Sequence, residues 1–224
     1  SEGRAEVLST YRTAIALIHD GGGYVFTSGG AVTYEWVRED DPESFAAIQA
    51  EVQAGTWCLA NRWWLQPDCN VPRGESFVRH ALYGQRYLQR WFGQRARVGY
   101  NVDSFGHAAT LPQLLKLGGL DYYVFFRPGP HEKDLPAGPF WWEAPGGVRM
   151  LACRPPLHYC SPDDTDIAAR IAAAVADTPA DLPLVMCFYG VGNHGGGPTR
   201  RNVGEVAALE NAELPYRPLF ASPE

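Results

Sequence analysis

The sequence predicts an α/β protein in which strands and helices alternate around a largely parallel sheet, open or closed into a barrel. Two observations carry that expectation. Short apolar runs recur along the chain with helical periodicities between them. Val185-Met186-Cys187-Phe188 is apolar throughout, as suits a strand buried on both faces. The length agrees, since 224 residues suffice for one substantial domain or most of a larger one.

Val7, Tyr11, Ala14, Ile15 and Ile18 recur at helical spacing, so the chain opens on a helix that Gly21-Gly22-Gly23 ends. Residues 24–27 read as a buried strand. After Pro42, a helix presents Phe45, Ile48 and Val52 on one face, and 57–60 form the next strand. A long loop over 62–74 is rich in Trp, Pro, Asp and Asn. Phe77, Ala81, Leu88 and Phe92 mark a further helix. Strands over 96–100 and 122–126 flank a helix over 111–117. Residues 140–142 and 148–153 bracket Ala144-Pro145-Gly146-Gly147 as an inserted hairpin. A helix over 166–176, a strand over 184–189, a helix over 202–209 and a weak strand over 218–220 complete the pattern.

Composition excludes several classes. With 19 Lys+Arg against 25 Asp+Glu and no basic tract, a nucleic-acid partner is not expected. No apolar run approaches the roughly 18 residues of a membrane span, and no signal peptide is visible. Cys58, Cys69, Cys153, Cys160 and Cys187 are scattered without a CxxC pair, which reads as reduced thiols and a cytoplasmic setting.

Three loops after expected strands could carry chemistry. Asp103, in Gly99-Tyr100-Asn101-Val102-Asp103-Ser104-Phe105-Gly106-His107, is a carboxylate just past a strand end. In alternating β/α folds that face bears the active site; capping the next helix is the alternative. In the 62–74 loop, Trp64 beside Asp68 suits a sugar, whose C–H face stacks on rings while its hydroxyls bind carboxylates. Packing of the Trp pair, with Asp68 and Asn70 satisfying turns, is the alternative. The glycines of 190–199 let backbone approach a ligand, with Asn193 and His194 among them. GxxxxGK[ST] is absent, so a nucleotide site is not expected. Arg127 stands where a substrate-orienting cation would, with a buried salt bridge as the alternative.

Taken together, these segments resemble the N-terminal catalytic domain of glycoside hydrolase family 38, the α-mannosidases. The resemblance rests on Trp63-Trp64-Leu65-Gln66-Pro67-Asp68-Cys69-Asn70-Val71-Pro72-Arg73-Gly74-Glu75-Ser76, and on Asp103-Ser104-Phe105-Gly106-His107. Phe126-Arg127-Pro128 and the run from Gly190 to Thr199 extend it in the family's order over almost the whole chain. It implies a (β/α) barrel of about seven strands, here partial, with residues 1–224 lacking the first strand and the C-terminal end.

The resemblance also implies retaining hydrolysis of α-mannosides with bound zinc or another divalent ion. Asp103 would be nucleophile and metal ligand, and His194 an acid/base candidate. Phe105, Arg127, Asp68, Trp64 and Asn193 would contact the sugar. The family's HxHxDxxW motif does not appear, and Asn193 stands where an aspartate is common. The missing parts of the parent chain would supply the other ligands. This chain alone would therefore bind metal poorly and turn over little. A metal-dependent polysaccharide deacetylase and a non-catalytic carbohydrate-binding relative are the rival readings.

Overall fold

A computed structural model describes residues 2–192 and 196–222. The fold is mixed α/β. Helix α1 (Glu2–His19) leads into β1 (Phe26–Gly29), and α2 (Ala31–Asp40) and α3 (Pro42–Ala54) lead to β2 (Trp57–Ala60). Next come α4 (Gly74–Phe92), β3 (Val98–Asn101), α5 (Leu111–Leu117) and β4 (Tyr122–Phe125). The hairpin β5 (Gly138–Glu143) and β6 (Arg149–Arg154) precedes α6 (Ile167–Ala176) and α7 (Arg200–Leu209).

β1 and β2 pair in parallel, and a second sheet runs β3-β4-β6-β5 with only β5 antiparallel. Asn61 splices the two sheets. Its backbone N–H donates to the Val98 carbonyl at 2.8 Å and its side-chain amide donates to the Tyr100 carbonyl at 2.7 Å. Asn61 has φ 67°, a left-handed conformation that Asn tolerates better than most residues. The parallel strands thus follow one another in chain order as an arc. Closure into a seven-strand barrel is not seen among the described residues.

Two expected strands do not form. Residues 184–189 lack strand structure because both edges of β6 are occupied, one by β4 and the other by β5. The Phe188 carbonyl instead accepts from Arg170 Nε at 2.8 Å, and its ring meets Tyr100 at 5.8 Å. Residues 218–220 are irregular, with Phe220 packed edge-on against Tyr24.

Helix α2 is an addition to the sequence reading. Its buried positions, Ala31, Tyr34 and Val37, lie three apart, but its β-branched and aromatic residues weaken the helical signal. By contrast, α3 carries ordinary end signals: Asp41 accepts from Ser44 N–H, Pro42 opens the helix, and Gly55 ends it at φ 82°.

Two larger apolar clusters and a smaller one around Leu17, Tyr24 and Val203 hold the described residues together. Tyr11, Tyr34, Val37, Ile48, Trp57 and Phe92 fill the space between α1–α4 and the first sheet. Burying each large side chain contributes about 1.5–3 kcal/mol, and Trp57 satisfies its indole N–H on Tyr34 Oη at 3.0 Å. Phe77, Leu111, Leu115, Tyr123 and Met150 form the second cluster, under α4, α5 and the second sheet.

Candidate active site

Asp103 lies two residues past β3, on an exposed turn at the strand's C-terminal end. It does not cap the following helix, whose N-cap is Thr110. Arg127, two residues past the neighbouring β4, donates from Nε to Asp103 Oδ1 at 2.8 Å. Adjacent parallel strands in register, with Asn101 opposite Phe125, bring the two turns side by side. The Arg127 guanidinium lies 4.9 Å over the Phe105 ring and 3.8 Å from Glu132. Hydrogen bonding to Asp103 raises the Arg127 pKa further above its ordinary value, so this cation is permanent. Phe105 is 72% exposed, an apolar ring presented to solvent beside a carboxylate.

Tyr159 joins this group from the segment after β6, a third parallel strand end. Burial, then a hydrogen bond to Asp103 and its charge, push the phenol above its ordinary range and keep it a neutral donor. His158 stacks on Tyr159 at 4.3 Å, and Phe126 meets both rings edge-on. Sequence reasoning missed Tyr159 and Glu132. Tyr159 obeys the same strand-end rule as Asp103, but Pro155-Pro156 blurs where the strand stops.

The Asp103 turn is tied to the loop after β2. Cys69 N–H donates to Ser104 Oγ at 3.2 Å, Ala108 N–H to the Cys69 carbonyl at 3.0 Å, and Asn101 Nδ2 to the Pro67 carbonyl at 3.0 Å. Gly106 has φ 124°, and a Cβ there would lie 2.3 Å from the Asn70 amide, so only glycine permits the approach. Asp68 sits in this second loop, exposed, with Oδ1 accepting N–H groups of Asn70 and Val71, each at 2.8 Å. Those bonds hold its carboxyl below the ordinary range. It has no direct contact with Asp103 among the described residues, and it is charged for any ligand that reaches both loops.

His107, four residues past Asp103, is largely enclosed by Tyr123, Phe125 and Trp142. Burial pushes its pKa down to about 4, against the favourable field of Asp68. Its Nε2 lies 2.9 Å from Tyr123 Oη. It is a neutral, structural imidazole beneath the site.

Trp64 is placed elsewhere. Its ring packs edge-on against Tyr87 of α4 at 5.8 Å, and its carbonyl accepts from Val32 N–H of α2 at 2.9 Å. Asn193 and His194 lie outside the described residues. The segment leading to them is anchored near Tyr159: Ser161 and Gly190 exchange hydrogen bonds, and a Cβ on Gly192 would meet Cys160 at 2.5 Å.

The sequence matches the glycosyl hydrolases family 38 N-terminal domain over residues 1–224. The chain belongs to this family. It is 30% identical over 194 residues to alpha-mannosidase G of Dictyostelium discoideum, covering 84% of this chain and 17% of that protein. It is 27% identical over 213 residues to the alpha-mannosidase of Saccharomyces cerevisiae, covering 94% of this chain and 20% of that one. The solved alpha-mannosidase structure from Enterococcus faecalis V583 superposes with a TM-score of 0.80 at 23% identity. That match covers 97% of this chain and 25% of the solved one, and it speaks to the fold. The chain therefore spans about a fifth of the length of the relatives named.

Among the described residues no three His, Cys, Asp or Glu side chains converge to hold a metal ion. Asp103 and Glu132 approach one another only across Arg127, whose positive charge disfavours a cation between them. The described residues thus do not by themselves form a metal centre. No helix among them is long and apolar enough to cross a membrane, and none of the five cysteines is in a disulfide.

Proposed function

We propose that the polypeptide carrying this domain is a retaining α-mannosidase in which Asp103 is the nucleophile. The observation that supports the reading best is the cluster of Asp103, Arg127, Phe105 and Tyr159 at the C-terminal ends of successive parallel strands. It combines a carboxylate, a cation that orients it, an open ring for the sugar's apolar face and a hydroxyl donor.

In the proposed reaction an Asp103 oxygen attacks the anomeric carbon as the glycosidic C–O bond breaks. The leaving oxygen takes a proton from an acid, giving a covalent glycosyl-enzyme. Water then attacks the same carbon, gives its proton to that group acting as base, and frees Asp103 with net retention. Arg127 fixes the attacking oxygen, Phe105 carries the ring, and Asp68 and Asn193 bind hydroxyls. His194 is the acid/base of the proposal. Trp64 is left out, since its ring faces α2 and α4.

Zinc or another divalent ion belongs to the same proposal. Asp103 supplies one ligand and the others come from outside the described residues. So do a closed barrel of about seven strands, a partial barrel domain over residues 1–224, and a reducing, cytoplasmic setting. The test is proton NMR of aryl α-mannoside hydrolysis by the full polypeptide. α-Mannose as the first-formed product supports retention, whereas β-mannose or acetate release from acetylated glycans sinks it.

A further inference from the structure

A second group of side chains, separate from Asp103, lines an open cleft on the helical side of the sheet. Between α2 and α4 a cleft of about 660 Å³ opens to solvent, within the roughly 300–1,000 Å³ of small-molecule sites. Tyr83, Tyr87 and Trp91 recur every fourth residue on α4, and while Tyr87 is buried at the cleft floor, exposed Tyr83, Arg86 and Arg90 and half-buried Trp91 turn rings and guanidinium groups toward solvent. Trp64 completes the wall from the loop after β2.

Charge singles the cleft out. The chain carries a formal charge of -6, yet three arginines line this cleft against one glutamate. Glu35 is already engaged, accepting from Arg38 Nε and Nη2, each at 2.7 Å. Arg38 and Arg90 both lie over the Trp91 ring, at 5.0 and 5.1 Å. Those stacks orient both guanidinium groups; Arg38 is paired with Glu35, whereas Arg90 keeps its charge open to a ligand. Arg86 and Arg90 form no salt bridge among the described residues and are exposed, as is Tyr83.

Exposed guanidinium groups such as those of Arg86 and Arg90 bind carboxylate or phosphate in a bidentate manner. Partly exposed indole and phenol rings beside them bind the C–H face of a sugar. We propose that this cleft binds an anionic saccharide, one bearing a carboxylate or a phosphate, at a site separate from Asp103. A neutral mannoside lacks the group that Arg86 and Arg90 would hold. A bare anion lacks the face for Trp64 and Tyr83.

The experiment is calorimetric titration of the full polypeptide with mannose 6-phosphate, glucuronate, mannose, inorganic phosphate and a glutamate-rich peptide. Saturable binding of mannose 6-phosphate or glucuronate, at least tenfold tighter than both mannose and phosphate, supports the proposal. Whichever of the two binds more tightly identifies the anion. Arg86→Gln and Arg90→Gln should each weaken that binding about tenfold or more, with helicity unchanged. Asp103→Asn should leave it unchanged, separating this site from the catalytic reading. Phosphate binding as tightly as the sugar anions, the peptide binding more tightly than either, or affinity indifferent to both arginine variants would each overturn it.

Discussion

Asp103 and Arg127 show how much a single pair of residues can decide. Either alone is an ordinary strand-end side chain. Paired at 2.8 Å, with Phe105 beneath the guanidinium, they form an oriented carboxylate beside an apolar ring. Lysine cannot reproduce that arrangement, because a point charge cannot bond Asp103 and stack on Phe105 together. Arg127→Lys in the full polypeptide should therefore lower kcat/KM for aryl α-mannosides about tenfold to a hundredfold, from the roughly 1.5–3 kcal/mol of a charged hydrogen bond. Steady-state kinetics with circular dichroism as a folding control would check it, and unchanged kinetics would remove Arg127 from the site. His107 yields a pH prediction. Its folded pKa of about 4 lies below the ordinary 6.5, so between these values the unfolded chain binds a proton that the folded chain refuses. Stability is then lost as pH falls from 6.5 toward 4, by about 3 kcal/mol at most. Urea midpoints across that window should fall less steeply in His107→Gln than in the parent sequence. Parallel curves would mean that His107 is not buried as described.

At the scale of elements, close approaches are what hold the loops where the site needs them. Gly84 sits mid-helix in α4, where a Cβ would stand 1.9 Å from the Arg62 carbonyl. The loop carrying Trp63 to Asn70 rests on that gap. Gly84→Ala should gain helix propensity on paper yet destabilise the chain by about 1–3 kcal/mol or more through overpacking. Chemical denaturation would measure it, and a stabilised variant would show that the helix and loop are not in contact. This constraint is invisible in the sequence, where a helical glycine reads only as a weak position. Helices with ordinary end signals were legible, such as α3 with Asp41, Pro42 and Gly55. So were β2 and the β5–β6 hairpin, through apolar runs and Pro-Gly turns. Helix α2 was not, because Val32, Tyr34, Trp36 and Val37 suit a strand as well as a helix. The failed strand over 184–189 shows the converse limit. An apolar run makes a strand only if an edge is free, and β5 had taken the edge of β6.

Over the whole molecule, a parallel arc places three successive strand ends on one side, and the turns after β3, β4 and β6 meet there. The sequence revealed the first two through Asp103 and Arg127. It hid the third because Tyr159 matters by position, which only the order β3-β4-β6 supplies. Likewise Trp64, read beside Asp68 as a sugar platform with loop packing as its alternative, packs against Tyr87 of α4 because the chain turns over Gly84 just after β2. The arc brings Asp103, Arg127 and Tyr159 together within a chain that spans about a fifth of the length of its relatives. The most direct test of the proposed role of Asp103 is mass spectrometry of the full polypeptide after treatment with a slow fluorinated mannosyl donor. A gain of one glycosyl group on the peptide containing Asp103, lost in Asp103→Asn together with turnover, is the expected result. A label on another carboxylate, or turnover surviving in Asp103→Asn, would contradict it.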